Sequence, residues 1–565
     1  MKKIAKIVLV LIVLIAVVEI VVLSFGPFSK RVEKNSVLTL RIEGAIDERT
    51  PHDSFVGTLL GSSTSVSDMI EALDRASTDP RIAGMQMEVG ESTLGIAQIQ
   101  QLRRKLGEFH RAGKFSIAYL EFGTNRSYYL ASAGQTVVLL PTSLLNIHGM
   151  MTSTTFLRGT FDKLGIYPDF YHIGDYKNAT NIYQEKKYTP AHREADQALL
   201  EDLYNQYVQG VAESRRISPV EAGQLIARGP FSSPEALAAK LIDRVAYADE
   251  FRDLVDKKNG GHNSRVSVKE YLNRTERGGL SKVAVILASG MILPGKSANN
   301  PFGEEMMGAD TIAEQFKSAR EDDSIKAVIL RIDSPGGAAF ASEVIRRELL
   351  LTKKQMPVVV SMSNVAASGG YWIAMSANRI VAEPGTITGS IGVLSGKFNL
   401  LGLYEKLGLT KDHLVTAENS TFDWSFQNFT PAQRDSMQRY MHEIYDNFIR
   451  GVAEGRKMDV AAVDKIAQGR VWSGERARDL GLVDELGGLD TAISSAKKLA
   501  NIPAGEKVDL VYLPPPKDIF QQIHDLLNNT ETFSRPASVQ HWLARIEAFA
   551  RVPAWTLLPA VPEIQ

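Results

Sequence analysis

The chain has 565 residues, more than one hydrophobic core usually organises, so two or more domains are expected. Its 64 Lys and Arg residues balance 65 Asp and Glu residues, which gives no electrostatic footprint for nucleic acid and argues against that class of partner. The sequence has no cysteine, and this excludes thiol catalysis, disulfides, cysteine zinc sites and iron–sulfur clusters.

The first predicted element is a membrane anchor in residues 1–31. An apolar run over Ile7–Phe25 follows three lysines, and at about 1.5 Å per residue a helix of this length crosses a bilayer. The alternative is a cleaved signal peptide, but the run exceeds the usual apolar segment of such peptides and no A-x-A-like site follows before Pro27. Glu19 inside the run is either a functional residue or, as we prefer, a carboxylate that reaches the nearer interface.

The charges around this run set the predicted orientation. Lysines ahead of it favour a cytoplasmic N-terminus. Everything after Arg31 is then expected on the outer side of the inner membrane, in the periplasm if the source is a Gram-negative bacterium. The N-terminus therefore predicts a single-pass membrane protein.

The remainder of the chain contains an internal repeat. At an offset of 243 residues the following segments align: residues 79–84 with 322–327, 102–106 with 345–349, 127–132 with 370–375, and 163–165 with 406–408. Further along, the offset drifts to 241, where residues 210–215 meet 451–456. A register kept over this distance indicates two copies of one fold, at residues 36–260 and 280–510.

Each copy alternates short apolar runs with helical segments. In the second copy, Val283–Leu287 and Ala327–Ile332 are β-branched runs typical of strands buried in parallel sheets. A helical segment over Ala341–Thr352 separates the latter from a third strand over Val358–Met362. This pattern predicts an α/β fold with a mostly parallel sheet in each copy.

The C-terminal tail, residues 514–565, is predicted to be helical. It starts with a proline run and contains possible amphipathic helices at 519–527 and 539–549. Packing on the body, contact with a membrane and a role in assembly all remain open for it.

Two glycine-rich turns in the second copy are candidates for a reaction site. Asp333–Gly337 directly follows a buried strand, and Ala366–Gly370 places Ser368 on a strand-to-helix turn, where α/β ligand sites gather. Glycines at both turns allow backbone N–H groups to point at one spot, as an oxyanion hole requires. The alternative is that these are ordinary Gly-Ser turns.

The repeat helps to choose between these alternatives. Asn125 stands 243 residues before Ser368, and residues 92–94 stand where the second copy has Pro335–Gly337. The first copy thus lacks the serine and the glycines but keeps the surrounding frame. Their restriction to one copy suggests function rather than folding.

A nucleophilic serine needs a base, and histidine is the first residue type to consider. Neither glycine turn contains any of the ten histidines, and none has a recognisable triad setting. No His-Glu-x-x-His motif is present, which argues against a zinc hydrolase. No metal or cofactor is expected.

Four motifs resemble those of the bacterial signal peptide peptidases of the protease IV type. They are Ser-Pro-Gly-Gly at 334–337, Ala-Ala-Ser-Gly-Gly-Tyr-Trp at 366–372, Thr-Gly-Ser-Ile-Gly at 388–392 and Gly-Leu-Val-Asp-Glu-Leu-Gly-Gly at 481–488. The duplication and the anchor match the long form of that family over nearly the whole chain, as far as Leu513. The resemblance implies tandem Clp-protease/crotonase-like repeats with a serine–lysine dyad split between them.

The resemblance also implies the serine side of the site. Ser368 would be the nucleophile. The backbone N–H groups of Gly336 and Gly369 would form the oxyanion hole, with Gly337 as the alternative to Gly336.

Lys177 is the implied general base. It lies in a Tyr-Lys-x-Ala stretch that matches the start of the family's lysine motif, whereas the residues after Ala179 depart from that motif. The second copy has Ser420 at the equivalent position, 243 residues later. Burial disfavours a charged amine and can lower its pKa enough to make it a base, and the family implies that Ser390 orients it.

The resemblance, together with the predicted anchor, implies a membrane-anchored serine endopeptidase that degrades cleaved signal peptides and other apolar peptides at the outer face of the inner membrane. The family forms homotetramers, so the same assembly is expected. The alternative is a non-catalytic, membrane-bound peptide-binding scaffold of the same fold, which the altered loop after Lys177 would support. A crotonase-like acyl-CoA enzyme is more remote, because an outward-facing domain would not meet acyl-CoA.

Overall fold

The structure of the chain is a computed structural model that describes residues 31–49, 64–275, 278–299, 305–514 and 555–557. The predicted anchor helix and Glu19 lie outside these residues, as do the two helices predicted in the tail. Across the described ranges, no helix combines the length and the apolar character required to span a membrane.

The first repeat alternates strands and helices along its length. Its strands are β1 (Ser36–Gly44), β2 (Ile82–Ser92), β3 (Phe115–Leu120), β4 (Gly123–Thr124), β5 (Thr136–Leu139), β6 (Leu144–Asn146), β7 (Tyr167–Ile173), β8 (Phe231–Ser232), β9 (Arg244–Val245) and β10 (Arg265–Ser267). Its helices are α1 (Val66–Thr78), α2 (Ile96–Arg111), α3 (Asn125–Ala131), α4 (Arg158–Leu164), α5 (Asn181–Gln184), α6 (Pro190–Arg215), α7 (Pro219–Arg228), α8 (Ser233–Ala238), α9 (Ala248–Lys258) and α10 (Val268–Arg274). The main sheet has the order β10-β1-β2-β3-β5-β9 with every neighbouring pair parallel, and β4, β6 and β8 form a small second sheet.

The second repeat, with the described part of the tail, follows the same alternation. Its strands are β11 (Ser281–Ser289), β12 (Met291–Leu293), β13 (Ala298–Asn299), β14 (Glu305–Gly308), β15 (Ile325–Ser334), β16 (Gly336–Ala338), β17 (Val358–Ala367), β18 (Arg379–Ala382), β19 (Ile387–Gly389), β20 (Val393–Asn399), β21 (Val471–Ser473), β22 (Glu485–Leu486), β23 (Val508–Leu513) and β24 (Trp555–Leu557). Its helices are α11 (Ala309–Glu321), α12 (Ala339–Lys353), α13 (Gly369–Ala374), α14 (Leu401–Lys406), α15 (Pro431–Arg456), α16 (Val460–Ile466), α17 (Gly474–Asp479) and α18 (Leu489–Leu499), with a 3₁₀ turn at Glu418–Thr421. The main sheet has the order β21-β19-β17-β15-β11-β23; β18 pairs with β17, and β22 pairs with β18.

Equivalent elements of the two repeats start at the predicted offsets. Strand β2 starts at Ile82 and β15 at Ile325, which are 243 residues apart, and β3 and β17 are related in the same way. The long helices α6 and α15 start at Pro190 and Pro431, which are 241 residues apart. The predicted α/β class, with tandem domains and mostly parallel sheets, is confirmed.

Strand β15 explains why the apolar runs are continuous rather than alternating. Val328, Leu330 and Ile332 enter the larger core of the second repeat, while Ala327 and Ile329 point into a separate core on the other face of the sheet. Helices cover both faces, so each side chain leaves water, and a fully buried aliphatic side chain stabilises the fold by about 1.5–3 kcal/mol.

Helix α2 of the first repeat packs against the second repeat through charged side chains. The Arg104 guanidinium contacts Asp490 at 2.5 Å and Glu383 at 3.0 Å. Deeper in the junction, Arg331 Nε lies 2.7 Å from the Glu48 carboxylate, and both side chains are nearly inaccessible to water. Losing one partner of such a buried pair costs about 3–5 kcal/mol, so these contacts fix the mutual position of the repeats.

A third sheet joins strands from both repeats, in the order β13-β14-β12-β16-β24-β20-β7. Strand β7 belongs to the first repeat and pairs antiparallel with β20 over seven residue pairs, from Val393 opposite Ile173 to Asn399 opposite Tyr167. This pairing carries the segment that follows β7 to the carboxyl end of the second repeat's main sheet.

Candidate active site

Ser368 lies where strand β17 turns into helix α13. Its φ and ψ are 55° and −113°, and such a backbone conformation costs a non-glycine residue about 1–3 kcal/mol. Its N–H donates to the Gly389 carbonyl at 2.8 Å, and its own carbonyl accepts from Trp372 N–H at 2.8 Å. The side chain is fully buried. The turn therefore holds the hydroxyl in one place at the carboxyl end of a central strand.

The two glycine-rich turns pack closely against neighbouring backbone. A Cβ on Gly370 would lie 2.8 Å from the Ser334 carbonyl oxygen, and one on Gly337 would lie 2.0 Å from the Ile292 carbonyl oxygen. Gly336 has a φ of 108°, which other residues rarely adopt. These glycines therefore have a folding reason as well, and their restriction to one repeat is not by itself a sign of chemistry.

Lys177 reaches Ser368 from the first repeat. Its side chain is fully buried. The Nζ atom lies 2.6 Å from Ser368 Oγ, 3.0 Å from the Ser390 carbonyl oxygen and 3.1 Å from Ser390 Oγ. The structure thus brings together three of the side chains that the sequence singled out, one from the first repeat and two from the second.

The surroundings of Lys177 favour a neutral amine. Burial holds the pKa of this amine well below its usual value. All three hydrogen-bonding partners of Nζ are neutral oxygens, so no negative charge is present to offset the cost of removing an ammonium from water. A neutral amine beside a hydroxyl is the arrangement that general-base catalysis requires.

The loop that carries Lys177 is held by residues 468–470 of the second repeat. Tyr176 N–H donates to the Gln468 carbonyl at 2.8 Å. A Cβ on Gly469 would lie 2.5 Å from the Lys177 backbone nitrogen, and one on Gly174 would lie 2.4 Å from the Gln468 carbonyl carbon. Two glycines therefore permit backbone to pack against backbone, which fixes the lysine without help from a charged partner.

Ser390 is fixed by the same segment. Its φ is 52°, and its N–H donates to the Arg470 carbonyl at 2.7 Å. The side chain is fully buried. Because both the carbonyl and the hydroxyl of Ser390 face Lys177 Nζ, this strained turn limits where the amine can sit.

The two glycines proposed as oxyanion donors differ in their hydrogen bonding. Gly369 is the first residue of helix α13, and its N–H precedes the first intrahelical bond. Gly336 N–H donates to Ser334 Oγ at 3.2 Å, and that hydroxyl donates to the Gly290 carbonyl at 2.7 Å. An oxyanion would therefore compete with Ser334 for the N–H of Gly336.

Sequence reasoning missed residues 468–470. They are distant in sequence from Ser368 and Lys177, and they lie in a turn after helix α16 that has no motif of its own. Glycine at 469, which packs against Lys177, was a weak signal that could not have been separated from other turn glycines.

Comparison with known proteins gives a consistent result. The profile of Peptidase family S49 matches residues 108–260 and 351–503, and these segments are related by the 243-residue offset of the repeat. The chain is 31% identical over 544 residues to Protease 4 of Salmonella typhi, covering 92% of this chain and 86% of that protein. It is 33% identical over 497 residues to the chloroplastic serine protease SPPA of Arabidopsis thaliana, covering 86% and 72% respectively.

Among solved structures, the chain is similar to the membrane-bound stomatin-specific protease 1510-N in complex with a substrate peptide. The TM-score is 0.27 and the identity 18%, over 44% of this chain and 98% of that one. The family profile covers both repeats, and Protease 4 is more than 30% identical over most of its own length. The chain therefore belongs to peptidase family S49, as a serine peptidase of the duplicated signal peptide peptidase form.

Proposed function

We propose that this peptidase is a membrane-anchored endopeptidase that uses a Ser368–Lys177 dyad to degrade cleaved signal peptides and other apolar peptides at the outer face of the inner membrane. The observation that carries the dyad is the distance of 2.6 Å between Lys177 Nζ and Ser368 Oγ. Support also comes from burial, which holds the pKa of the lysine amine well below its usual value.

In the first step the neutral amine of Lys177 takes the proton from Ser368 Oγ as the oxygen attacks the peptide carbonyl. A C–O bond forms, and the carbonyl oxygen becomes an oxyanion. The N–H of Gly369, at the start of a helix, is the donor we assign to this oxyanion, together with Gly336 or Gly337 across the groove. An ammonium at Lys177 is stabilised meanwhile by both oxygens of Ser390.

The intermediate then collapses. The C–N bond breaks, and the Lys177 ammonium returns its proton to the departing amine, which leaves an ester on Ser368. In the second half the neutral Lys177 takes a proton from water as the water oxygen attacks the ester. As that intermediate breaks down, the C–O bond to Ser368 breaks and the Lys177 ammonium returns its proton to Ser368 Oγ, which releases a carboxylic acid and restores the serine hydroxyl and the neutral amine.

The membrane and substrate parts of the proposal rest on the sequence. The apolar run in residues 1–31 and its lysines would place the peptidase domains outside the cytoplasm, beside remnants of signal peptides. A homotetramer, as the family implies, would enclose the site. Light scattering of the purified chain tests the assembly, and protease accessibility in spheroplasts against intact cells tests the side of the membrane.

The central experiment is hydrolysis of a short apolar peptide by the wild type and by Lys177→Ala. General-base catalysis supplies about 10²–10⁴-fold, so kcat/KM should fall by at least that range. An activated-serine probe should label the wild type at Ser368 and react far more slowly with the variant.

Lys397 offers a matched control, because it is another buried lysine in the neighbouring strand β20. Its Nζ donates to the Phe422 carbonyl at 2.8 Å and touches neither serine. Lys397→Met should therefore keep kcat/KM within a few-fold of the wild type. Equal loss in both variants would mean that removing any buried lysine damages the fold, and full activity in Lys177→Ala would refute the dyad. A scaffold would bind the peptide without turnover in every variant.

A further inference from the structure

Strand β24 joins a sheet that is remote from it in sequence. Forty residues separate Trp555 from Pro514, the residue after β23. The strand pairs antiparallel with β16 on one side and β20 on the other. The paired residues are Gly336 with Leu557, Gly337 with Thr556, Ala338 with Trp555, and Leu394 with Trp555.

The two neighbours of β24 are the two walls of the candidate active site. Strand β16 continues the glycine turn at Ser334–Gly337, and β20 begins three residues after Ser390. Strand β20 also pairs with β7, which leads into the Lys177 loop. Helix α13, whose first residue follows Ser368, contacts β24 as well. The strand therefore lies in a slot one strand wide between the serine side and the lysine side of the site.

The direction of β24 places one of its ends beside the candidate site. Because the pairing is antiparallel, the chain runs from Ala338 toward Gly336 as it passes from Trp555 to Leu557. Its leading end thus lies against the turn that carries the proposed oxyanion donor. Extended peptides bind to exposed strand edges through main-chain hydrogen bonds, and a groove with two edges offers bonds on both sides.

The local sequence favours a short insertion of this kind. The stretch from Pro553 to Pro559 is apolar apart from Thr556, which is the class of peptide proposed as substrate. Proline has no N–H to donate to a ladder, so Pro553 and Pro559 bracket the three-residue strand. Such a strand makes few bonds, but it binds within its own chain, so its occupancy does not depend on enzyme concentration.

We propose that β24 occupies the peptide-binding groove in cis and competes with substrate, so that the C-terminal tail limits access to the dyad. This inference rests on the proposed function, because it takes the slot between β16 and β20 to be where substrate binds. The tail is then an internal competitor, and the peptidase is more active when β24 leaves the groove.

Thr556→Pro in the full chain tests the proposal, with Thr556→Val as the matched control. Thr556 is the middle residue of β24 and lies opposite Gly337, in a strand between β16 and β20, so proline there removes a backbone donor from the sheet whereas valine keeps it. One backbone hydrogen bond changes an equilibrium by roughly three- to tenfold, so kcat/KM for an apolar peptide should rise by that factor in Thr556→Pro alone. The ratio of kcat/KM between Thr556→Pro and the wild type should stay constant when the enzyme is diluted. A chain ending at Arg551 should show a larger rise in kcat/KM.

A binding measurement separates this inference from the proposed function. A labelled peptide of residues 553–559 should bind the chain ending at Arg551 more tightly than the full chain, with Ser368→Ala in both so that no turnover occurs. Equal binding, or equal kcat/KM in Thr556→Pro and the wild type, would make β24 a structural strand and overturn the inference. Preferential binding with no turnover in any chain that keeps Ser368 would instead support the inference and refute the proposed function.

Discussion

The two repeats build the same strand-to-helix turn and use its helix N-terminus differently. In the first repeat, Thr124 caps helix α3, with its Oγ1 accepting from Ser127 N–H, and the Ser127 hydroxyl accepts from Thr124 N–H. In the second, the N-cap of α13 is Ser368, whose side chain makes no capping bond and faces Lys177 instead. In a capped helix, side chains already accept from backbone N–H groups of the first turn, whereas in an uncapped helix those N–H groups can donate to an oxyanion.

The same comparison applies to the lysine. Lys177 is buried at the junction of the repeats, whereas its counterpart Ser420 is exposed in a 3₁₀ turn, with its Oγ accepting from Ala417 N–H at 3.2 Å. Asn125, the counterpart of Ser368, donates from its side chain to the Gly149 carbonyl at 2.7 Å. Each copy thus keeps the frame and has, in place of one half of the proposed dyad, a residue that serves local structure.

The largest expected effect is the loss of activity when the Ser368 hydroxyl is removed. Removal of the side chain of Asn125, its counterpart in the first repeat, is the control. Ser368→Ala should lower kcat by about 10⁴–10⁶-fold, the range seen when a serine nucleophile is removed. Asn125→Ala removes only local hydrogen bonds, to the Gly149 carbonyl and from His148 N–H, and should leave kcat within a few-fold. Peptide hydrolysis and probe labelling measure both, and comparable losses would show that the repeats share the chemistry.

The pH dependence of kcat/KM tests whether Lys177 is the general base. Only the neutral amine of Lys177 accepts a proton, so kcat/KM should rise about tenfold per pH unit below the amine's pKa and level off above it. Because burial lowers this pKa, the midpoint should lie well below that of a free lysine. Burial and the charge of Glu48 raise the pKa of Asp333 to about 7, so the profile should be repeated in Asp333→Asn. A midpoint near 10.4, the free value, would contradict a buried base.

Replacing Lys177 should raise the stability of the fold although it abolishes the proposed base. The unfolded lysine stays protonated up to about pH 10.4, whereas the folded one loses its proton at lower pH. The unfolded state therefore binds more protons between these two pKa values, and the free energy of unfolding rises with pH across that window. Lys177→Met should raise Tm near pH 7, by about 2–4 °C per kcal/mol, and the gain should shrink toward pH 10. A gain independent of pH would indicate packing rather than charge.

The smallest expected effect concerns the cap. Thr124→Ala should cost about 1 kcal/mol in the free energy of unfolding, because it removes the capping oxygen of α3. Thr124→Ser keeps that oxygen and should stay close to the wild type. Urea unfolding monitored by circular dichroism measures both, and the absence of any difference would mean that the cap is not what distinguishes the repeats.

Much of the fold could be predicted from the sequence because its signals are local or periodic. Buried parallel strands such as β15 need apolar residues on both faces, and the repeat offset of 243 residues places equivalent strands correctly. Ser368, Lys177 and Ser390 were named from motifs that resemble a known family, and the structure places Lys177 Nζ within 3.1 Å of both serine hydroxyls. Their catalytic roles remain predictions.

Other features left no such signal. The ion pair of Glu48 with Arg331 joins residues 283 positions apart, and neither residue lies in a recognised motif. The tail offers a similar case, since residues 555–557 form strand β24, while the helices predicted for it lie outside the described residues. Short strands that pair with residues far away in the sequence contain too few residues to show a periodic apolar pattern.

The sequence by itself determined the duplicated α/β frame, the family and the residue types of the proposed dyad, because apolar periodicity and glycine turns are properties of contiguous residues. Only the tertiary structure decided that a lysine from one repeat and two serines from the other meet in a buried site. That meeting depends on the pairing of β7 with β20 and on backbone packing at Gly469. Such contacts are chosen by the free energy of the whole fold, so no stretch of sequence records them.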